Sequence, residues 1–202
     1  MNRATETTSE AFVPGRILES IDRRRARRAL SDQPIDRDTA ETLLAAAHLA
    51  PSCANNQPWR FVAIDDPVVL TSVQEHLTGG NYWARSAPLI VAVASHAELD
   101  CKIPDGRAYH LFGCGLAAMN LMLQATQLGL IAHPIAGFRQ APVKEVLRIP
   151  EEFTLIALMI VGHPGDPSTL SEKHRTEEAA PRDRHPLPHV VSWNRYAKPP
   201  ES

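Results

Sequence analysis

Two short runs, PLIVAVA at 88–94 and TLIALMIVG at 154–162, constrain the possible folds of this chain most. Each falls far below the roughly 20 apolar residues that a membrane-spanning helix needs. A strand apolar at every position, rather than at every second one, has no face to offer to water, so both runs read as buried strands. WRFVAI at 59–64 and LIAHPI at 130–135 read as two further strands.

Helical patterns separate them. Asp36 is placed to cap a helix whose apolar stripe is Leu43, Leu44 and Ala47, and Pro51 stops it. Further helices are expected at about 68–77 and 141–147, and the longest covers 107–128, with so little charge that it should lie buried at the centre. Ile17, Leu18 and Ile21 open another helix, and RRRARR at 23–28 is expected to continue it, putting Arg24 and Arg28 on one face and pointing Arg23 and Arg27 elsewhere. With 202 residues, 44% of them hydrophobic, one core is expected: a flexible leader at 1–15 and a single domain at 16–202. From Pro164 onward proline and charge dominate, so this tail is expected to wrap around something else, such as a partner subunit.

A net charge of -2 argues that the arginine run is a local device and not the arm of a basic nucleic-acid-binding domain, and no aromatic residues interleave with it. No nucleic-acid or membrane partner is expected. The N-terminus lacks the apolar run of a secretory signal and carries Glu6 and Glu10, so cytoplasmic residence is the expectation. Three cysteines without a CxxC pair suggest reduced thiols and no zinc knuckle.

Several motifs yield to plainer readings. GCGLAA at 113–118 fits G-x-G-x-x-A, but no strand precedes it and no acidic residue stands near Phe138, so close helix packing explains the glycines better than a dinucleotide site. His185 and His189 have metal-pair spacing, yet Pro186 and Pro188 forbid the helix it needs, and no metal is expected. His48, His110 and His133, in or beside apolar segments, read as hydrogen-bonded core histidines. APSCANNQPW at 50–59 is different, because it gathers donors and acceptors (Ser52, Asn55, Gln57) between stiffening prolines, with Trp59 as an anchor. It reads as a rigid polar cradle.

RRARRAL at 24–30, APSCANNQPWRFV at 50–62, LGLIAHPIAGF at 128–138, and IPEEFTLIALMIVGHPGDP followed by APRDRHPL together resemble the nitroreductase family of FMN flavoproteins, from about Ile17 to Leu187. The resemblance implies an α+β sandwich with a central, mainly antiparallel sheet flanked by helices, in an intertwined homodimer with FMN at its interface. It implies that Arg24, Arg28, Arg182 and Arg184 hold the FMN phosphate, that the loop with Ser52, Cys53, Asn55 and Gln57 reaches the partner's flavin, and that Asn81 meets the pyrimidine edge. Pro134, Ile135, Ala136 and Gly137 would form the turn over the reactive ring, with a backbone N–H toward flavin N5. Departures are Ala26 and Ala136, where the family often has serine and glutamate, and Gly113, where many relatives have an acid. The implied activity is ping-pong hydride transfer from NADH or NADPH to a nitroarene, quinone or enone. The alternative is oxidation of a small biosynthetic substrate with oxygen as acceptor. Cys53 lacks an evident base partner and is not expected to act as a nucleophile.

Overall fold

The computed structural model describes residues 15–198; the leader expected at 1–15 lies, apart from Gly15, outside the described residues. The four strands are β1 (Trp59–Ile64), β2 (Leu89–Ser95), β3 (Ile131–Ile135) and β4 (Thr154–Gly162). They form an antiparallel sheet in the order β1-β2-β4-β3. β2 and β4 are thus the inner strands, and they are the two runs with no polar face to spare. Ile90, Ala92 and Ala94 pack on one side of the sheet with Leu70 and Val73 of α3 (Pro67–Gln74) and Val143 of α5 (Gln140–Leu147). Leu89, Val91 and Val93 pack on the other with Leu43 and Ala47 of α2 (Arg37–His48) and Ala117, Leu121 and Ala125 of α4 (Tyr109–Gln127). A bulge interrupts the alternation of β4: the register passes from Val93↔Ala157 to Ala94↔Leu155, so Ile156 is the extra residue. Leu155 then falls on the α3 and α5 side and Ile156 on the other.

Helix starts follow local chemistry. Asp36 accepts from Thr39 N at 2.7 Å, and this bond holds its carboxyl below the usual range. Asp66 accepts from Val68 N and Val69 N, each at 3.0 Å, with Pro67 at the first helical position. α2 ends at His48, before Pro51 itself, because a residue preceding proline is pushed out of helical conformation.

Four expectations need correction. The arginines do not continue the first helix: α1 is only Glu19–Arg23, and Arg24 is already extended at φ -55, ψ 128. Successive like charges disfavour the helix, and the backbone finds other partners: Arg28 N donates to Glu178 Oε2 at 2.9 Å and Leu30 bridges to Pro164. The tail does pack in part, as α6 (Glu172–Ala179) buries Glu178 against this segment. α4 is not buried all round, since Leu111, Phe112 and Met119 stand exposed on the side away from the sheet. Finally, Cys53 and Cys101 form a disulfide, and only Cys114 is a free thiol. Among the described residues no helix is long and apolar enough to cross a membrane.

Candidate functional site

The extended arginine segment and the stretch after α6 enclose a cavity of about 300 Å³, lined by Arg24, Arg182 and Arg184 together with Arg25 and Arg27. Glu177, Glu178 and Asp183 also line it, and the two glutamates are engaged with the arginine segment. Glu178 takes Arg28 N, and Glu177 Oε2 pairs with Arg28 Nη1 at 2.8 Å. Arg27 Nη1 donates to the Glu178 carbonyl. Among the described residues no carboxylate lies within 4 Å of Arg24, Arg25 or Arg184. Arg182 is braced from behind, its Nη2 donating to the carbonyls of Asp22 at 2.6 Å and Arg24 at 2.8 Å, while its Nε is buried without a partner. Burial, then the charges of Arg182, Arg184 and Arg25, depress the Arg24 pKa. Crowded cations with an orphaned donor make a seat for a multiply charged anion.

Arg28 lies apart from that cavity. It lines a second one, about 360 Å³, with Leu30, Tyr82, Trp83 and Arg85, and its ion pair to Glu177 occupies it there. The same-face argument for Arg24 and Arg28 therefore fails with the helix it assumed. Arg23 does pair with an acid, Glu19 Oε1 at 3.1 Å on the exposed face of α1.

Beneath the segment, His133 Nδ1–H donates to Arg27 O at 3.0 Å and its ring lies against Trp83. Burial is the main cause of its lowered pKa. An unfolded imidazole titrates near 6.5. The stabilising contribution of neutral His133 is thus fully present above that value and is lost as pH falls through the lower folded one. Thermal unfolding should show a midpoint that drops as pH goes from about 7.5 to about 5, less steeply in His133→Gln. An equal drop in the variant would assign the effect to other groups.

At the end of β3 the structure joins two predicted elements. Asn81 Nδ2 donates to Gly137 O at 2.8 Å, Thr78 N donates to the same oxygen at 2.9 Å, and Leu77 bridges to Phe138. Pro134 and Ala136 face outward, Ile135 faces the core, and Gly137 N–H has no acceptor among the described residues. A Cβ at Gly137 would stand 2.4 Å from Asn81 Nδ2 and 2.6 Å from Thr78 Oγ1. Only glycine fits. Thr78 was not picked out from sequence, where a lone threonine before Gly-Gly gives no signal.

The polar loop is also built as a unit, but apart from the arginine cavity. Ser52 Oγ accepts from Gln57 N at 2.9 Å, and Gln57 Nε2 donates to Asn55 O at 2.7 Å. Ala54, Asn55 and Gln57 adopt φ of 46°, 58° and 52°, a conformation side chains rarely take. Gln57 instead lines a cavity with His48, Asn56, Trp59 and Arg60. Gly113, inside α4, lets this loop close on the helix, for a Cβ there would meet Pro58 Cγ at 3.3 Å. His110 and His133 are buried and hydrogen-bonded as read, His110 meeting Ser95 Oγ at 3.1 Å, whereas His48 is exposed and not core, although it accepts from Trp59 Nε1 at 3.1 Å.

The chain matches the model of the nitroreductase family in two segments, residues 21–81 and 67–163. A protein of Archaeoglobus fulgidus, provisionally named an NADH dehydrogenase/NAD(P)H nitroreductase, is 30% identical over 163 residues, covering 77% of this chain and 89% of its own. A 5,6-dimethylbenzimidazole synthase of Rhodospirillum rubrum is 29% identical over 179 residues, 75% of this chain and 83% of the relative. Among solved structures, an oxidoreductase containing FMN is 31% identical and superposes with a TM-score of 0.82 over 98% of this chain and all of that one. Matched over more than half its length and carrying the expected fold, this chain belongs to the nitroreductase family.

Proposed function

We propose that the cavity formed by Arg24, Arg182 and Arg184 seats the phosphate of FMN in an oxidoreductase that uses NAD(P)H to reduce an electron-poor acceptor such as a nitroarene, quinone or enone. The observation that carries this reading is the guanidinium cluster: among the described residues Arg24 and Arg184 have no carboxylate within 4 Å, and Arg182, 4.0 Å from Asp22 Oδ1, keeps its Nε buried and unpaired. A phosphate dianion supplies what they lack. Arg28, tied to Glu177, would sit nearer the ring and add positive potential there. Bound there, FMN would supply the redox chemistry between NAD(P)H and the second substrate. The chain's own part is positioning. Asn81 and Thr78 fix the Gly137 carbonyl, and the Gly137 N–H, without an acceptor among the described residues, is left as a donor for the ring edge. With alanine at 136, that edge has a backbone donor and no side-chain acid.

A homodimer completes this site. The polar loop lines a different cavity from the arginines, so within one chain it does not serve the same ligand. Phe112 of α4 and Trp193 of the tail, 57% and 84% exposed, offer apolar surface for a second copy. Sedimentation should give a flavin-loaded dimer; a flavin-loaded monomer would sink this part.

The deciding experiment is the absorption spectrum of the purified protein. A flavin spectrum that bleaches anaerobically with NADH or NADPH supports the reductase. The Rhodospirillum relative, named for a synthase, favours a second reading in which the flavin oxidises a small biosynthetic substrate and oxygen is the acceptor. Bleaching with organic substrates alone would select it, and a protein that binds no flavin would remove both.

A further inference from the structure

Below the polar loop lies a group of side chains that flavin chemistry does not use. Cys53 and Cys101, 48 residues apart in sequence, are joined, and a carboxylate oxygen of Asp100 lies within 4.8 Å of both sulfurs. Asp100 is 7% exposed; its Oδ1 accepts from Cys101 N at 2.8 Å, whereas its Oδ2 is buried without any partner. Asn56 of the loop places Nδ2 3.4 Å from Cys101 Sγ and 3.5 Å from Asp100 Oδ1. Behind them stand Ser95 and His110, both buried, with Ser95 Oγ donating to Pro58 O at 2.8 Å. Cys53 and Cys101 are both half-exposed residues.

A disulfide that served only as a staple would not need a buried carboxylate beside it, and a carboxylate oxygen buried without a donor is costly. Reduction changes the balance. A disulfide has no hydrogen to donate, but each thiol has one, so the dithiol form can supply the donor that the carboxylate lacks. We infer that Cys53 and Cys101 form a reversible thiol–disulfide centre, exchanging with small-molecule thiols, in which Asp100 is the positioning residue that accepts a hydrogen bond from the reduced pair. In the reductive direction an external thiolate attacks one sulfur, the S–S bond breaks, and a mixed disulfide forms while the other cysteine leaves as a thiolate and is protonated. A second external thiolate then attacks the external sulfur of that mixed disulfide, and the remaining protein cysteine leaves as a thiolate and is protonated. Two external thiols become one disulfide, the protein disulfide becomes two thiols, and two electrons have moved.

Resting on the flavin reading above, the state of this centre should also set how firmly the loop holds the cofactor. Ala54, Asn55 and Gln57 are kept in unfavourable backbone conformations beside Cys53, and cutting the covalent tie frees them to relax.

The test equilibrates the full-length protein in buffers of graded reduced to oxidised glutathione, blocks thiols by alkylation, and reads the mass. A reversible transition with both cysteines changing together is expected. At one neutral pH the reduced Asp100→Asn protein should alkylate several-fold faster, since removing the neighbouring negative charge favours the thiolate. FMN titration should show weaker binding by the reduced protein and no redox response in Cys53→Ser/Cys101→Ser. Thiols that never pair at any glutathione ratio, or a disulfide reducible only in denaturant, would overturn the centre. Thiols shielded from alkylation by bound zinc would make the triad a metal site instead, and also overturn it. Flavin binding indifferent to redox state would remove the link to the loop, and a protein without flavin would remove the reading it rests on; neither touches the mass measurement.

Discussion

Arg24→Ala is expected to weaken FMN binding by roughly one to two orders of magnitude, the equivalent of one lost charge-assisted contact of about 1.5–3 kcal/mol. Its effect on the apoprotein should have the opposite sign. Arg24 is pushed down in pKa by burial and by Arg182, Arg184 and Arg25, so its charge opposes folding until an anion arrives. Removing it relieves that repulsion. The thermal midpoint of the flavin-free variant should therefore match or exceed that of the native apoprotein, while the flavin-loaded variant falls below the native holoprotein. Arg23→Ala serves as the comparison, because Arg23 pairs with Glu19 on an exposed helix face and should change FMN affinity little. Fluorescence titration of FMN into both apo variants decides the matter. Equal losses at Arg23 and Arg24 would mean a diffuse basic surface and not a built phosphate seat.

Sequence reasoning succeeded where the deciding interactions are local or where a pattern leaves one solution. The β1 and β4 boundaries fall where WRFVAI and TLIALMIVG begin and end, since an apolar run bounded by polar residues has little freedom in register. The α2 cap was readable because Asp36 and Thr39 are three residues apart. The arginine run was misread for the opposite reason. Its conformation is set by Glu178, which lies 150 positions beyond Arg28, and by Pro164, and no window around RRRARR contains either. Without them the apolar spacing of Ile17, Leu18 and Ile21 argues for a helix that does not go on. The disulfide joins residues 48 apart with no telling spacing, so the loop looked like a hydrogen-bonding cradle with a spare thiol. The exposed side of α4 looked like core because apolar composition alone does not say which face of a helix is covered.

The contact that fixes the arginine segment yields the other large effect. Gly165 N donates to Ala29 O at 2.8 Å, and Ser31 N donates to His163 O at 3.0 Å, so the residues just after β4 clip the chain directly behind the arginines. A Cβ on residue 165 would stand 2.3 Å from the backbone carbon of Leu30, 2.4 Å from its oxygen and 2.6 Å from Ser31 N. Those atoms belong to backbone already committed to hydrogen bonds, and they have no rotamer to escape into. Gly165→Ala should thus destabilise the protein by about 1–3 kcal/mol or more, lowering the thermal midpoint by roughly 2–4 °C for each kcal/mol. It should also weaken FMN binding, although residue 165 does not line the arginine cavity. Displacing Leu30 shifts the segment that carries Arg24, Arg27 and Arg28, and with it the oxygen that binds His133. The two readouts separate cause from coincidence. Lost stability with native FMN affinity in the folded fraction would show that the arginines hold their geometry without the clip, and the coupling argued from Gly165 would then be wrong.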